Sequence, residues 1–451
     1  MTTPVCVRFA PSPSGRIHIG NARTALFNWL LAKRNRGRFI LRFDDTDAQR
    51  SSLEYARAIE LDLAWLGVVP DAIVRQSERF ALYRAAAETL RRANRLYPCY
   101  ETPEELDRKR ALQAARGRPP VYDRAALRLS DSDRAALEAA GRKPHWRFLL
   151  DHRVVEWSDL ARGHCHIDCA SLSDPVLARE DGAWLYTLPS VVDDLDMNIS
   201  HVVRGEDHVT NAAVQIQLFE ALAPGRAPPV FAHHNLLTDA SGEGLSKRKG
   251  ALSIGALREA GLESLAVAAQ ATLTGTSIPV HAVGSLEELA ALFDLSRLSR
   301  TPARFDMAEL QALSLKTLHA LSFESVRDRL AAHEITGRKA EAFWLSVRSN
   351  LTTFDEVVQW WRVVDGMIEP RIEDEALLAQ ALALLPREPW DEATWGLWTS
   401  ELKQASGRKG RALFHPLRLA LTGREQGPEL ASLMPLIGPL KTSARLCGRV
   451  A

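Results

Sequence analysis

The chain has 451 residues, of which 46% are hydrophobic and 25% charged, and its 57 basic side chains nearly balance its 56 acidic ones. This length fits several domains, and the balance excludes nucleic-acid binding through a global basic excess. Five scattered cysteines favour a reducing cytoplasm without a disulfide framework. No segment predicts a membrane span or a signal peptide, so we expect a cytoplasmic protein with no membrane partner.

A strand, a turn and a helix open the chain and together predict a phosphate-binding element. Val5 to Phe9 is an apolar run typical of a buried strand, and prolines and a glycine follow it. The next segment has helical periodicity, with Asn21 as its predicted N-cap. Free amides and the positive dipole end collect at this helix start, where Gly20 leaves room for a phosphate and His18 can donate to it.

Strands and helices alternate up to about residue 96, which predicts a parallel sheet covered by helices. Between 97 and 186 the alternation stops, which predicts an inserted domain. It resumes with a strand at His201 to Arg204, a helix at Asn211 to Leu222 and a strand at Val230. After about Leu252 the strand signals fade, and helical patterns rich in tryptophan predict an all-helical part with the indoles in its core.

A second candidate phosphate element reads Gly-Leu-Ser-Lys-Arg-Lys-Gly from Gly244 to Gly250. Ammonium groups in such a loop can stabilise the charge that develops during phosphoryl transfer. The cations available in it are Lys247, Arg248 and Lys249. A short basic cluster is usually only surface, so the interpretation depends on its place after the last strand.

These two elements resemble the signatures of class I aminoacyl-tRNA synthetases. The string from Arg8 to Gly20, followed by Asn21, is similar to the His-Ile-Gly-His motif in the form that bacterial-type glutamyl-tRNA synthetases show. The loop at Lys247 is similar to the Lys-Met-Ser-Lys-Ser motif. The resemblance implies a doubly wound parallel, Rossmann-like α/β catalytic domain with an inserted α/β domain for the tRNA acceptor end, followed by an all-α anticodon-binding domain.

The implied boundaries follow the breaks in the sequence pattern. The catalytic halves would span residues 1–96 and 187–250, and the insert 97–186. A helical stem-contact region would span 251–325, and the anticodon-binding domain 326–451.

The resemblance also implies a role for each site residue. His18 and Lys247 would be catalytic and stabilise the phosphate charge. The glutamate pocket would comprise Arg8, Ser12, Asp44, Tyr186, Ser190 and Arg204. ATP would contact His18, Gly20, Glu206, Leu245, Ser246, Lys247 and Arg248. Three positions depart from the commonest family residues: Asp44 replaces Glu, Ser190 replaces Asn, and Gly244 replaces the first lysine of the second signature.

The implied substrates are L-glutamate, ATP with Mg²⁺, and tRNA(Glu), with tRNA(Gln) left open, and a monomer is expected. Basic residues outnumber acidic ones nine to three from Glu401 to Ala451, which is enough for an RNA-contacting face, although most such charge runs are only solvated helical surface. No metal site is predicted. The ligands in His164 to Cys169 would alternate between strand faces. Cys99-Tyr100-Glu101 lacks the second cysteine of the pair that binds zinc in some glutamyl enzymes.

Two other functions compete with this interpretation. One is a glutamyl transferase of the truncated type that modifies a tRNA base, which the long helical C-terminal part disfavours. The other is an inactive tRNA-binding paralogue, which the three departures from the commonest family residues keep open and the retention of Arg8, His18, Arg204 and Lys247 disfavours.

Overall fold

The computed structural model describes residues 4–47, 49–117, 119–239, 242–243 and 252–451. The chain divides into two compact units, the first formed by Met1–Ala260 with Ser264–Leu310, the second by Gly261–Glu263 with Gln311–Ala451. Within the described ranges, no helix has both the length and the apolar character needed to cross a membrane.

A parallel three-stranded sheet opens the first unit. Its elements are β1 (Cys6–Phe9), α1 (Ile19–Arg34), β2 (Arg38–Phe43), α2 (Leu53–Trp65), β3 (Ala72–Arg75) and α3 (Phe80–Arg92). The strands lie in the order β1-β2-β3. β1 and β2 are almost wholly buried, because parallel strands carry helices over their faces.

The segment predicted as an insert contributes to two different sheets. Its elements are β4 (Leu96–Cys99), α4 (Pro103–Ala115), α5 (Asp131–Ala139), β5 (His145–Phe148), β6 (Val154–Asp159), β7 (Gly163–Asp168) and β8 (Val176–Ala178). β4, β5 and β8 form an antiparallel sheet of their own. The hairpin of β6 and β7 instead extends the second half of the parallel sheet, which the sequence pattern did not indicate.

The second half-sheet has the order β7-β6-β10-β9. The remaining elements of this unit are α6 (Thr187–Asp196), β9 (His201–Gly205), α7 (Val209–Leu222), β10 (Val230–His234), β11 (Leu237–Thr238), α8 (Ile254–Glu259), α9 (Ser264–Leu273), α10 (Leu286–Leu292) and β12 (Ala303–Arg304). β9 and β10 pair in parallel, as do β10 and β6. The predicted strands and the helix of this half are confirmed.

Hydrogen bonds join the two half-sheets where β1 and β9 begin. The amide of Cys6 donates to Oγ of Ser200 over 2.7 Å, and the amide of Ser200 donates to the carbonyl of Cys6 over 2.9 Å. Further along the two strands, a cavity lies between Arg8 and Arg204.

The second unit is helical, as predicted. After α11 (Met307–Ala320), which crosses from the first unit, it contains α12 (Phe323–Ala332), α13 (Ala340–Val347), α14 (Val357–Val364), α15 (Glu375–Ala383), α16 (Glu392–Ser406), α17 (Arg411–Thr422), α18 (Leu430–Ile437) and α19 (Pro439–Leu446). Trp344, Trp360 and Trp398 are buried in its apolar clusters, which confirms the core assignment.

One cation of the basic C-terminal stretch is not at the surface. Arg445 is fully buried, and its Nη1 donates to the carbonyls of Val363 and Leu421. It therefore binds the C-terminal ends of α14 and α17, where the negative ends of the helix dipoles favour a cation. Burial lowers the pKa of Arg445 to about 10.

Candidate active site

A cavity of about 480 Å³ lies at the carboxyl ends of β1 and β9. Ligands of doubly wound sheets bind where the strand order reverses, which is the position of this cavity. It brings together these predicted site residues: Arg8, Ser12, His18, Gly20, Asp44, Tyr186 and Arg204. Leu245, Ser246, Lys247 and Arg248, with Gly244, lie outside the described residues.

The start of α1 differs from the prediction. Asn21 is not the N-cap: the helix begins at Ile19, and His18 is its cap. Nδ1 of His18 accepts from the amide of Gly20 over 3.0 Å, and Oδ1 of Asn21 accepts from the amide of His18 over 3.3 Å. The His18 ring and the Asn21 side chain thus accept hydrogen bonds from two backbone amides at the start of the helix. The usual sequence signal for a helix start is a serine, threonine, aspartate or asparagine at the N-cap, so it does not predict a capping histidine.

This cap fixes the protonation state of His18. Because Nδ1 accepts a hydrogen bond, the neutral ring carries its proton on Nε2. Burial lowers the pKa of His18 below 6.5, so the ring is neutral at pH 7. His18 can therefore donate through Nε2 to an oxygen in the cavity.

The chain that follows the Lys247 loop is hydrogen-bonded to the first signature. The amide of Ile19 donates to the carbonyl of Leu252 over 3.1 Å, and the amide of Ile254 donates to the carbonyl of Ile17 over 3.0 Å. Residues 252–254 therefore flank His18 directly. Sequence position alone did not indicate this pairing.

Arginines and carboxylates form a compensated network at the ends of β1 and β2. Nε of Arg8 donates to Oδ1 of Asp194 over 2.9 Å, and Nη1 of Arg42 donates to the same oxygen over 2.8 Å. Arg42 also binds both oxygens of Asp44, at 2.7 and 3.2 Å. Asp44, predicted to belong to the glutamate pocket, thus lines the cavity with its carboxylate already paired.

Arg204 has a different environment. It is 5% exposed, and no carboxylate lies within salt-bridge distance among the residues that the structure describes. Its Nη1 donates to the hydroxyl of Tyr186 over 3.0 Å, and its Nη2 to the carbonyl of His208 over 3.3 Å. Burial lowers the pKa of Arg204. A buried cation with neutral partners favours an anionic ligand.

Two predicted site residues do not line the cavity. Ser190 is fully buried, and its hydroxyl accepts from Nε2 of Gln215 over 2.8 Å. Glu206 forms an ion pair with Arg162, and its Oε1 accepts from the amide of Leu236 over 3.3 Å. Their predicted contacts with glutamate and ATP stay predictions.

Other lining residues were missed. The most unusual is Arg23, which is fully buried and donates to Oδ1 of Asn235 over 2.6 Å. Burial lowers the pKa of Arg23 to about 9. An arginine between Ala22 and Ala25 in an otherwise apolar helical stripe is a signal that could have identified a buried cation. The remaining missed residues include Thr24, His234 and Leu237.

One group in the described part of the chain has ligand atoms close enough to hold a metal: Cys99, Glu101 and His145. The fit is poor. Nε of Arg147 donates to Nε2 of His145, and the Lys109 ammonium lies 3.3 Å from Glu101. Burial raises the pKa of the Cys99 thiol to about 12 and lowers that of His145 to about 4. The guanidinium of Arg147 and the ammonium of Lys109, both adjacent to these ligand atoms, oppose a zinc ion here.

The comparison with known families decides the identity of the chain. The model described as tRNA synthetases class I (E and Q), catalytic domain, matches residues 4–312. The chain belongs to this family. A second model, the anticodon binding domain, matches residues 323–448. The family and the fold class inferred from the two signatures are therefore confirmed.

Full-length relatives of this synthetase family carry one name. A protein of Beijerinckia indica subsp. indica named glutamate–tRNA ligase 2 is 68% identical, and one of Methylorubrum populi with the same name is 59% identical, each over 451 residues and 100% of both chains. Among solved structures, a glutamate tRNA ligase from Elizabethkingia meningosepticum in complex with its amino acid is similar, with a TM-score of 0.80, 27% identity and 99% of each chain covered.

Proposed function

We propose that this chain is a glutamate–tRNA ligase, which activates L-glutamate with ATP and transfers it to the 3′-terminal adenosine of tRNA(Glu). The observation that carries the proposal is that one cavity combines two arginines, Arg8 and Arg204, with the His18 cap of α1. The two arginines suit an amino acid with two carboxylates, and the His18 cap suits ATP. The names of the full-length relatives support the same substrate.

In the proposed reaction, the α-carboxylate of glutamate attacks the α-phosphorus of ATP, and the bond to pyrophosphate breaks. Negative charge then grows on the phosphoryl oxygens, where the Nε2–H of His18 and the ammonium of Lys247 would stabilise it. Mg²⁺ would enter with ATP as part of that substrate. A ribose hydroxyl of the tRNA then attacks the glutamyl-adenylate, and AMP leaves.

The glutamate contacts are assigned to Arg8, Ser12, Asp44, Tyr186 and Arg204, which line the cavity. Arg204 is the strongest carboxylate ligand of this set because its protein partners are neutral. Arg8 would act together with Asp194, and Asp44 together with Arg42, so that each presents a fixed dipole rather than an unpaired charge.

The domain boundaries, the monomeric state, the cytoplasmic location and the reading of the anticodon by residues 326–451 belong to the same proposal. The match of residues 323–448 to an anticodon binding domain supports the last of these. It also disfavours a truncated transferase, which lacks such a domain.

The deciding experiment is the exchange of pyrophosphate into ATP, measured with glutamate in the presence and absence of tRNA. We expect glutamate-dependent exchange that requires tRNA. Exchange without tRNA would favour the truncated-type transferase, and no exchange in either condition would favour the inactive paralogue. Charging of tRNA(Glu) and tRNA(Gln) side by side then decides whether both are substrates.

A further inference from the structure

His233 lies beside Arg204 in the second half-sheet. The two residues are partners in the parallel register of β9 and β10. Nε of Arg204 donates to Nε2 of His233 over 3.1 Å. Because Nε2 accepts this bond, the neutral His233 ring carries its proton on Nδ1.

The proton on Nδ1 points to a buried carboxylate. Nδ1 of His233 lies 2.6 Å from Oδ2 of Asp159, and both side chains are fully buried. Oδ1 of Asp159 accepts from the amides of His233, Ala161 and Arg162. These backbone bonds fix the carboxylate at the end of β6. Burial lowers the pKa of His233. Burial alone would raise the pKa of Asp159, but the hydrogen bonds that its carboxylate accepts outweigh this effect, so the pKa of Asp159 is lowered.

In this arrangement the carboxylate of Asp159 compensates the charge of Arg204 without occupying the N–H groups of its guanidinium. A guanidinium has five N–H groups, and His233, Tyr186 and His208 take three of those of Arg204. One N–H on each terminal nitrogen is left for a ligand. A carboxylate bound directly to Arg204 would occupy such donors, as Asp194 does on Arg8. Asp159 acts from behind the imidazole and leaves them available.

We propose that His233 and Asp159 are positioning residues that orient Arg204 toward a carboxylate of glutamate, an inference that rests on the proposed function. Asp159 holds the tautomer of His233, His233 holds the Nε edge of Arg204, and Arg204 presents its two remaining N–H groups to the substrate. The logic is that of a carboxylate that fixes the tautomer of a histidine in a catalytic triad, here applied to an arginine that binds substrate.

A purely structural role would be to connect β6 with β10, and two substitutions of His233 separate the roles. H233Q retains an acceptor near the position of Nε2, so it can still meet Arg204. H233N retains a donor near the position of Nδ1, so it can still meet Asp159. Positioning predicts that H233N raises the KM for glutamate roughly 10- to 100-fold and H233Q much less. A purely structural contact predicts instead that H233Q, which loses the bond to Asp159, has the lower melting temperature. It also predicts equal KM values for glutamate in the two variants.

D159N tests the tautomer. Its Oδ1 still accepts the three backbone amides, but its amide nitrogen now donates toward Nδ1 and moves the ring proton to Nε2. That proton would oppose the Nε–H of Arg204. We expect the KM for glutamate to rise at least as much as in H233N, with the KM for ATP within about twofold of wild type.

The control is H166Q, because His166 is an exposed histidine on β7 of the same half-sheet and does not line the cavity. All proteins are full-length and are measured by pyrophosphate exchange with tRNA, alongside melting temperatures. Equal KM values for glutamate in active wild type, H233N and D159N would overturn the positioning role alone. A folded wild type without glutamate-dependent exchange would overturn the proposed function and the inference with it. Loss of folding in both His233 variants would assign the pair to the sheet and overturn the inference.

Discussion

The imidazole of His18 occupies the space above Gly20. The amide of Gly20 donates to Nδ1 of the ring over 3.0 Å, and a Cβ at position 20 would lie 2.9 Å from Cε1. The glycine was predicted to leave room for a phosphate. The structure adds that it leaves room for the histidine that would bind that phosphate.

Gly20→Ala should displace the His18 ring and lower the rate of glutamate activation roughly 10- to 100-fold, the scale of one lost transition-state donor. Alanine is otherwise favourable in a helix, so the melting temperature should change little. The matched control is Gly15→Ala, since a Cβ at position 15 meets nothing within 4 Å. A full rate in Gly20→Ala would refute the steric role.

The pH dependence of activation should not contain a histidine titration from His18 at or above pH 6.5. Burial lowers the pKa of His18 from 6.5, so the neutral ring, whose Nδ1 accepts from the amide of Gly20, predominates above that value and is lost as the pH falls, when a proton on Nδ1 removes this acceptor. The corresponding stability contribution is also complete above pH 6.5 and declines below it. The ratio of kcat/KM in wild type to that in His18→Gln should therefore stay constant from pH 6.5 upward. A wild-type decline through a pKa above 6.5 that the variant lacks would contradict this.

Arg42→Met should destabilise the first unit by about 3–5 kcal/mol, because it leaves the carboxylates of Asp44 and Asp194 buried without this partner. Arg16→Met is the control, since Arg16 and Glu259 form an exposed pair at 3.4 Å, with side chains 55% and 67% exposed. Such pairs contribute little. Urea unfolding of the two variants measures the difference, and equal midpoints would contradict the assigned importance of the network.

Lys247→Ala should reduce the rate of adenylate formation on the order of a hundredfold and leave tRNA affinity little changed. The reason is that Leu252, five residues after Lys247 in the sequence, accepts a hydrogen bond from the amide of Ile19 beside His18. Exchange kinetics and tRNA binding give the two readouts, with the exposed Lys33→Ala as control. A normal exchange rate in Lys247→Ala would exclude its proposed role.

Gly427→Ala should destabilise the second unit. Its φ is +147°, and a Cβ would lie 2.0 Å from Cη2 of Trp360. Overpacking of this kind costs about 1–3 kcal/mol. Gly396→Ala in α16 is the counterpart, because a Cβ there meets nothing within 4 Å, and it should stabilise the helix by about 0.5–1 kcal/mol. Thermal unfolding of both variants tests the opposite signs.

The sequence predicted what local patterns determine. The apolar runs at Val5 to Phe9 and Val230, and the periodicity of Asn211 to Leu222, correspond to β1, β10 and α7. Each depends on neighbours in the chain, so the pattern is visible without a structure. The two signatures indicated the family for the same reason.

What the sequence could not predict depends on residues that are distant along the chain. Asp194 meets Arg8, and Asp159 reaches Arg204 through His233, only after the two half-sheets assemble. The hairpin of β6 and β7 joins that sheet through a single register pair, Phe231 with Asp159. Arg445 was counted as a surface charge, and burial inside three-dimensional packing carries no local signal.

The junction of β1 and β9 has a consequence for how the cavity can vary. Among the described residues, the backbone and hydroxyl bonds between Cys6 and Ser200 join these strands at their amino ends, and Arg8 and Arg204 lie apart at the other end. The spacing of Arg8 and Arg204 therefore depends on a junction whose two residues do not line the cavity. Replacement of Ser200 would act on the catalytic cavity as a change of angle between two half-sheets, rather than as the loss of a contact.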